Sequence, residues 1–376
     1  MRRIPVAVML LVLSGLLCAC APGSKQAYST QTEGLNATGM VHWCVESAQE
    51  RTQANGVTQT IYRTQMRSFD CGSGATREVA LPEDAYIELF APTDVPGCIV
   101  VYGSDGADGE LFLLGADGSV RQLTAPPEFA PDALYGWYGG ALYYGCRSDE
   151  YWTEEPDFID LMRFDAATGE QRGCGEGLTE VFGVADDGRA IALVPRDAGY
   201  ETVYRYRDSD GVDQETRRRL EAWTLGIMAP DGGWTPALRI GEDSEIREIL
   251  GALWQGRDAL LLAVRTGKSD DCALWRCVPS TGAVEPAQDC EGRALNLYVP
   301  YSILGGSMQL SEDRKMIFYP ISEFIDGVGM CESLMAQSLE TGARYRVYTD
   351  GRSAEADGAA RERSRYICEY RERPFK

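Results

Sequence analysis

The sequence predicts an all-β protein, a β-propeller of six four-stranded blades with seven as the alternative count. Two observations carry this. Apolar and polar residues alternate along most short runs, and turn residues separate the runs, which is the pattern of half-buried strands rather than helices. The pattern also recurs. Aligned on the turn before the last strand of each unit, Gly74, Gly118, Gly169, Gly232, Gly282 and Gly342 stand 44, 51, 63, 50 and 60 residues apart. Repeats of about 40–50 residues, each a small four-stranded sheet, are the mark of a propeller. One blade cannot cover both of its faces, so blades stack around an axis and protect one another. A β-sandwich or a pair of small β-domains is the competing architecture.

The chain of 376 residues divides into a signal at 1–19, a tether at 20–39 and a propeller domain at 40–376. Arg2-Arg3 precede an apolar run from Ile4 to Leu17, and Leu17-Cys18-Ala19-Cys20 follow. The run is a secretory signal, too short for a good stop-transfer helix. Its last four residues resemble the lipobox of bacterial lipoproteins. That resemblance implies acylation of Cys20, membrane attachment through two chains (palmitate among them) and a place on the extracytoplasmic face of the cell membrane. Cleavage as an ordinary secreted protein is the alternative. Ala21 to Gly39 is rich in Ser, Thr, Gly and Gln without apolar period, the composition of a flexible tether.

The folded part opens with MVHWCV, TIYRTQM and TREVAL, three strands where later units show four. The second unit reads AYIELF, CIVVYG, ELFLLG and SVRQLT. The third reads YGWYGG, ALYYGC, DLMRF and EQRGC. The fourth has EVFGV, RAIALV, a long charged excursion, AWTLGIM and WTPALRI; the fifth has ILGALW, ALLLAV, ALWRCV and AVEPAQ. The sixth, Gly305 to Tyr348, is the clearest: SMQL, a turn at SEDRK, MIFYPIS, SLMAQSL, a turn at ETG, and ARYRVYT. Beyond it the run from Ser364 to Tyr370 has strand character and no partner of its own. An unpaired edge is normally covered, so this run is expected to complete the first blade and close the ring, against the alternative of a frayed tail. Val184 to Leu193 (VADDGRAIAL) and Leu310 to Tyr319 (LSEDRKMIFY) resemble the TolB-type propeller repeat, which carries Ser-Pro-Asp-Gly-x-x-Ile-Ala-Phe between its inner strands. Asp186 or Glu312 stands for the Pro, and Arg314 for the usual Gly. The resemblance implies the fold; function must come from a site.

Formal net charge is −21, which disfavours nucleic acid and anionic lipid surfaces as partners. His42 is the one histidine, and it falls in a strand beside Trp43; a structural role is the better reading than catalysis. No nucleophile elbow, phosphate loop, dinucleotide fingerprint or zinc motif appears, and no cofactor or metal is expected. Asp208, Asp210 and Asp213 alternate as calcium ligands do, but without the frame of an EF-hand loop they read as a polar turn. Ten cysteines remain after Cys18 and Cys20, none of them in a C-x-x-C pair, so disulfides are expected in an exported protein. Counting back from the turn at Ser280-Thr281-Gly282 sets Cys272 opposite the neighbourhood of Cys290, the candidate bridge. Aromatic residues crowd the third unit. Most are expected in blade packing, while Tyr151 and Trp152, in a loop with Glu154 and Glu155, are the candidate ligand-binding residues. The leading function is an anchored scaffold binding an envelope protein or peptide; the alternative is binding or hydrolysis of an envelope glycan.

Overall fold

A computed structural model describes residues 35, 37–52, 56, 58–79, 86–95, 98–104, 109–115, 118–126, 129–147, 158–195, 200–207, 213–219, 222–241, 244–266, 269–299, 302–303, 308–325, 329–349 and 363–369. Among these the alternating runs become strands, with no helix. The first blade holds β1 (Met40–Thr52), β2 (Thr58–Asp70) and β3 (Ala75–Val79). The second holds β4 (Tyr86–Pro92), β5 (Ile99–Ser104), β6 (Gly109–Leu114) and β7 (Val120–Leu123). The third holds β8 (Ala133–Tyr138), β9 (Ala141–Arg147), β10 (Ile159–Asp165) and β11 (Glu170–Leu178). In the fourth, β12 (Glu180–Val184) and β13 (Ala190–Pro195) are followed by a separate hairpin, β14 (Tyr200–Arg207) with β15 (Asp213–Arg219), before β16 (Ala222–Met228) and β17 (Trp234–Gly241). The fifth has β18 (Ile246–Gly256), β19 (Ala259–Thr266), β20 (Ser269–Val278), β21 (Ala283–Pro286) and β22 (Asn296–Leu297). The sixth has β23 (Ser302–Ile303), β24 (Gln309–Leu310), β25 (Met316–Ile325), β26 (Gly329–Ser338) and β27 (Arg344–Thr349), and β28 (Arg363–Glu369) ends the described chain.

The ring follows from the second strand of each blade. In the second to sixth blades these strands carry consecutive apolar residues rather than alternate ones, because both their faces are covered by neighbouring blades. In β9, Leu142 and Tyr144 pack toward the second blade while Ala141 and Tyr143 pack toward the fourth. In β13, Ala190 and Ala192 face the third blade, and Ile191 and Leu193 the fifth. In β19, Leu260, Leu262 and Val264 face the fourth, and Leu261 and Ala263 the sixth. In β25, Ile317, Tyr319 and Ile321 face the fifth, and Met316 and Phe318 the first. The buried residues accordingly fall into six clusters, one for each pair of adjacent blades including the last with the first. The ring is therefore six-bladed.

Innermost strands meet their counterparts around the axis: β4 touches β8, β8 touches β12, β12 touches β18, and β18 touches β24. The first blade takes its innermost strand from the C-terminal end, in the order β28-β1-β2-β3. Glu46 lies opposite Arg363, Val45 opposite Ser364 and Cys44 opposite Arg365, and after a bulge His42 lies opposite Glu369. The C-terminal run thus pairs as expected and is not a frayed tail over these residues.

Turn chemistry agrees with the glycine alignment. Gly74, Gly118, Gly169, Gly232, Gly282 and Gly342 all have positive φ, between 67° and 86°. Both windows resembling the TolB-type repeat form the turn from innermost to second strand. Gly188 N–H donates to Ala185 O (2.9 Å), and Arg314 N–H donates to Ser311 O (2.8 Å). Arg314 takes a left-handed φ of 57° in the place of the usual glycine.

The fifth blade corrects the cysteine register. Val278 pairs with Ala283 and Trp275 with Pro286, as counted from the turn. The outer strand then breaks: Ala287 and Leu295 both stay hydrogen-bonded to Leu274 of β20, residues 288–294 loop out between them, and Leu297 of β22 takes the place opposite Cys272. The excursion is fixed by Asp289, whose carboxylate accepts from Glu291 N–H, Arg293 N–H (both 2.9 Å) and Arg293 Nε (2.7 Å). Cys290 is carried to the surface, where its N–H donates to Glu340 O of the sixth blade (2.8 Å). Cys272 is a buried thiol and Cys290 an exposed one, so the expected bridge between them is not formed.

Two glycine substitutions separate turn strain from blade packing. At Gly188 (φ 82°) a Cβ would lie 2.5 Å from the Tyr143 hydroxyl of the third blade and 3.1 Å from Pro230, whereas at Gly74 (φ 67°) it meets nothing within 4 Å. Gly74→Ala should cost about 1–2 kcal/mol from the left-handed backbone alone. Gly188→Ala should cost more than that and lower the melting temperature further, as calorimetry of the two variants will show.

Candidate functional site

Hydrogen bonds between the inner turns establish that the blades share one polarity. Thr93 and Trp137 form a parallel bridge between the second and third blades. There Gly139 N–H donates to Asp94 Oδ2 (2.8 Å). Arg189 Nη1 of the fourth blade donates to Arg257 O of the fifth (3.0 Å), and Arg314 Nη1 of the sixth donates to Gln255 O of the fifth (3.2 Å). These turns therefore lie on one face, the turn face. The starts of the innermost strands gather at the opposite end of the axis, the mouth.

Three blades bring chemistry to the mouth. The third contributes Asp132, just before β8, and Tyr135 within it; the fourth contributes Glu180, the first residue of β12; the fifth contributes Glu248, near the start of β18. Inner strands bulge at this end: register shifts set Glu88, Tyr135 and Arg247 out of the ladder. A bulge re-aims the residue it carries. Gly145 on β9 makes room for the Tyr135 ring, since a Cβ there would come within 2.9 Å of the Tyr135 hydroxyl.

Charge is unevenly compensated across this group. Glu248 Oε2 pairs with Arg265 Nη1 at 2.8 Å. Asp132 accepts from the Arg147 N–H at 2.7 Å and lies 3.7 Å from its guanidinium. Glu180 is half-buried and, among the described residues, no cation contacts it. Burial first, and then the neighbouring Glu248, push its carboxyl up to about 7. Burial also pushes the Tyr135 phenol up, with Glu180 and Asp132 adding to it. A carboxyl poised in this way is only partly ionised near neutral pH and gives up its remaining proton when a cation arrives.

The other expected residues are distributed as follows. Tyr151, Trp152, Glu154 and Glu155 lie outside the described residues, in the connection from β9 to β10; that connection leaves the sheet at Arg147, beside Asp132 at the mouth. Asp208 and Asp210 are outside them too, and Asp213 opens β15. The described residues hold no group of three His, Cys, Asp or Glu suited to a metal ion. His42 is structural: buried in β1, with Nδ1 2.6 Å from Ser68 Oγ and its pKa lowered to about 4 by burial and then by Arg77. Among the aromatics of the third blade, Trp137, Tyr138, Tyr143 and Tyr144 are buried in blade interfaces. Phe129 packs edge-on to both Tyr102 (5.2 Å) and Tyr144 (5.0 Å). Cys20 and the signal lie outside the described residues. Sequence reasoning missed Asp132, Glu180 and Glu248, which belong to three blades and share no local motif.

No protein-family model matches the chain, and no curated protein matches it. Among solved structures, the chain is similar to TolB from Acinetobacter baumannii, with 11% identity and a TM-score of 0.48 over 88% of this chain and 67% of that one. It is also similar to an oligogalacturonate lyase in complex with manganese (14%, TM-score 0.40, 83% and 86%). A third likeness is to a chain of a nidogen/laminin complex (8%, TM-score 0.43, 84% and 96%). At these identities and scores the likenesses carry no argument about ligand or activity, and the propeller assignment stands on the strand pairing above.

The state of Glu180 has a measurable consequence for stability. Its folded pKa of about 7 exceeds the unfolded carboxyl value of about 4.3. The folded state thus binds more protons between those values, and stability falls as pH rises through that window. Glu180→Gln should melt close to the parent at about pH 4, where the carboxyl is largely protonated in both the folded and unfolded states, and above it at about pH 8. A difference in melting temperature that is the same at both pH values would contradict the assignment.

Proposed function

We propose that the protein is a lipid-anchored, extracytoplasmic propeller scaffold that binds a cationic segment of a protein or peptide at its mouth. The observation that carries this reading is Glu180, a half-buried carboxyl beside Glu248, which already has an arginine partner, and sharing Tyr135 as a neighbour with Asp132, which has its own. A lysine or arginine entering the mouth supplies the missing counter-charge, and Glu180 releases its proton as it binds. Tyr135 offers a ring face to the same cation. The Leu17-Cys18-Ala19-Cys20 lipobox supports the anchor, and the sign of the net charge supports a basic partner.

One observation favours a second reading. A carboxyl pushed up to about 7 beside an arginine-paired carboxylate is also the pairing that glycoside hydrolysis uses, as acid and base. On that reading the substrate is an envelope glycan, and the Glu180–Glu248 pair performs the chemistry.

Titration of an arginine-rich decapeptide and its glutamate counterpart into the protein by calorimetry separates these. The first reading expects the basic peptide to bind, the acidic one not to, and Glu180→Gln to weaken binding about tenfold, with proton release near pH 7. Binding that ignores peptide charge or the Glu180 substitution would overturn it. Oligosaccharide turnover lost in Glu180→Gln or Glu248→Gln would establish the second.

A further inference from the structure

The tether enters the propeller at a defined place. Thr38 O accepts from Glu312 N–H (3.0 Å), in the inner turn of the sixth blade, and Gly39 O accepts from Cys71 N–H (2.8 Å), in the outer turn of the first. Ala37 is buried between these two blades, and Leu35 packs against the same cluster. Glu312 and Cys71 both belong to the turn face, so the chain is fastened to the end opposite Asp132, Glu180 and Glu248.

We infer that the protein is oriented on its membrane: the turn face lies toward the bilayer, and the acidic mouth is presented away from it, to partners arriving from the compartment beyond. This rests on the anchoring reading through Cys20. From Cys20 to residue 34 the chain has fifteen residues, which span at most about 50 Å when fully extended. Turning the mouth to the membrane would require the tether to run outward past up to three strand spacings of about 4.8 Å each. It would then climb the height of a seven- to eleven-residue strand, about 23–36 Å. That path uses most of the tether's reach, whereas the other orientation uses almost none, and a chain of this length averages only about 20 Å end to end. The partner of the mouth is on this account a soluble or extended cationic segment approaching from outside. It is not a lipid headgroup or a buried surface of a protein in the same membrane.

Two exposed alanines of the third blade suit a test. Ala130 lies in the connection entering β8 at the mouth, and Ala167 in the turn between β10 and β11 on the turn face. The full acylated chain, with a fluorescent amino acid encoded at one position or the other, is reconstituted on vesicles of phosphatidylethanolamine and phosphatidylglycerol containing an acceptor-labelled lipid. Energy transfer should be several-fold greater from position 167 than from position 130. Equal or reversed transfer from vesicle-bound protein would overturn the orientation while leaving the anchor standing. Protein that floats away from the vesicles as Cys20→Ser does would instead overturn the anchoring reading, and the orientation with it.

Discussion

The second strand of each blade must be buried on both faces, and the rest of the molecule depends on that constraint. A side chain such as Leu262, Ile317 or Tyr144 is covered only if a neighbouring blade is present on its own side. Full burial of one such side chain stabilises by about 1.5–3 kcal/mol, and every blade has a set facing each way. No blade can be last in the row without exposing one set. Closure of the sixth blade on the first, through Met316, Phe318, Val41 and Trp43, removes that end. The innermost strand of the first blade being C-terminal in sequence ties the two chain ends into one sheet.

Closure also produces the mouth. Because all blades share one polarity, residues at the same point of successive innermost strands converge on the axis although they are some fifty residues apart in the chain. Asp132, Glu180 and Glu248 are brought together in this way. Two of them are neutralised by arginines from the second strands, Arg147 and Arg265, and Glu180 is left with burial as its chief influence. The same polarity sets Thr38 and Gly39, where the chain enters the first blade, on the turn face, at the end opposite Asp132, Glu180 and Glu248.

Much of this was legible along the chain because it is local. The turn glycines, spaced at blade intervals, mark the outer hairpins, and each adopts the left-handed conformation that a glycine accepts without cost. The C-terminal run was readable as a strand without a partner. What escaped was non-local. Counting from Gly282 gives the right register as far as Pro286, but Asp289 organises an excursion over residues 288–294 that displaces Cys290, and nothing in strand periodicity announces an interruption. Glu180 reads as one acidic residue among fifty-seven Asp and Glu; its perturbation arises from burial and from Glu248 on the next blade. The aromatic-rich third unit drew notice for binding, while its rings in the described strands are used mainly between blades.

Hydrogen exchange of the β1 backbone tests the central claim, that a C-terminal strand closes the ring, most directly. In the full chain the amides of Met40 to Thr52 should exchange only with global unfolding along the stretch paired to both β2 and β28. In a chain ending at Gly358 the β28-facing amides from His42 to Glu46 should lose that protection, and the melting temperature should fall markedly. Unchanged exchange and melting in the shortened chain would contradict closure by β28.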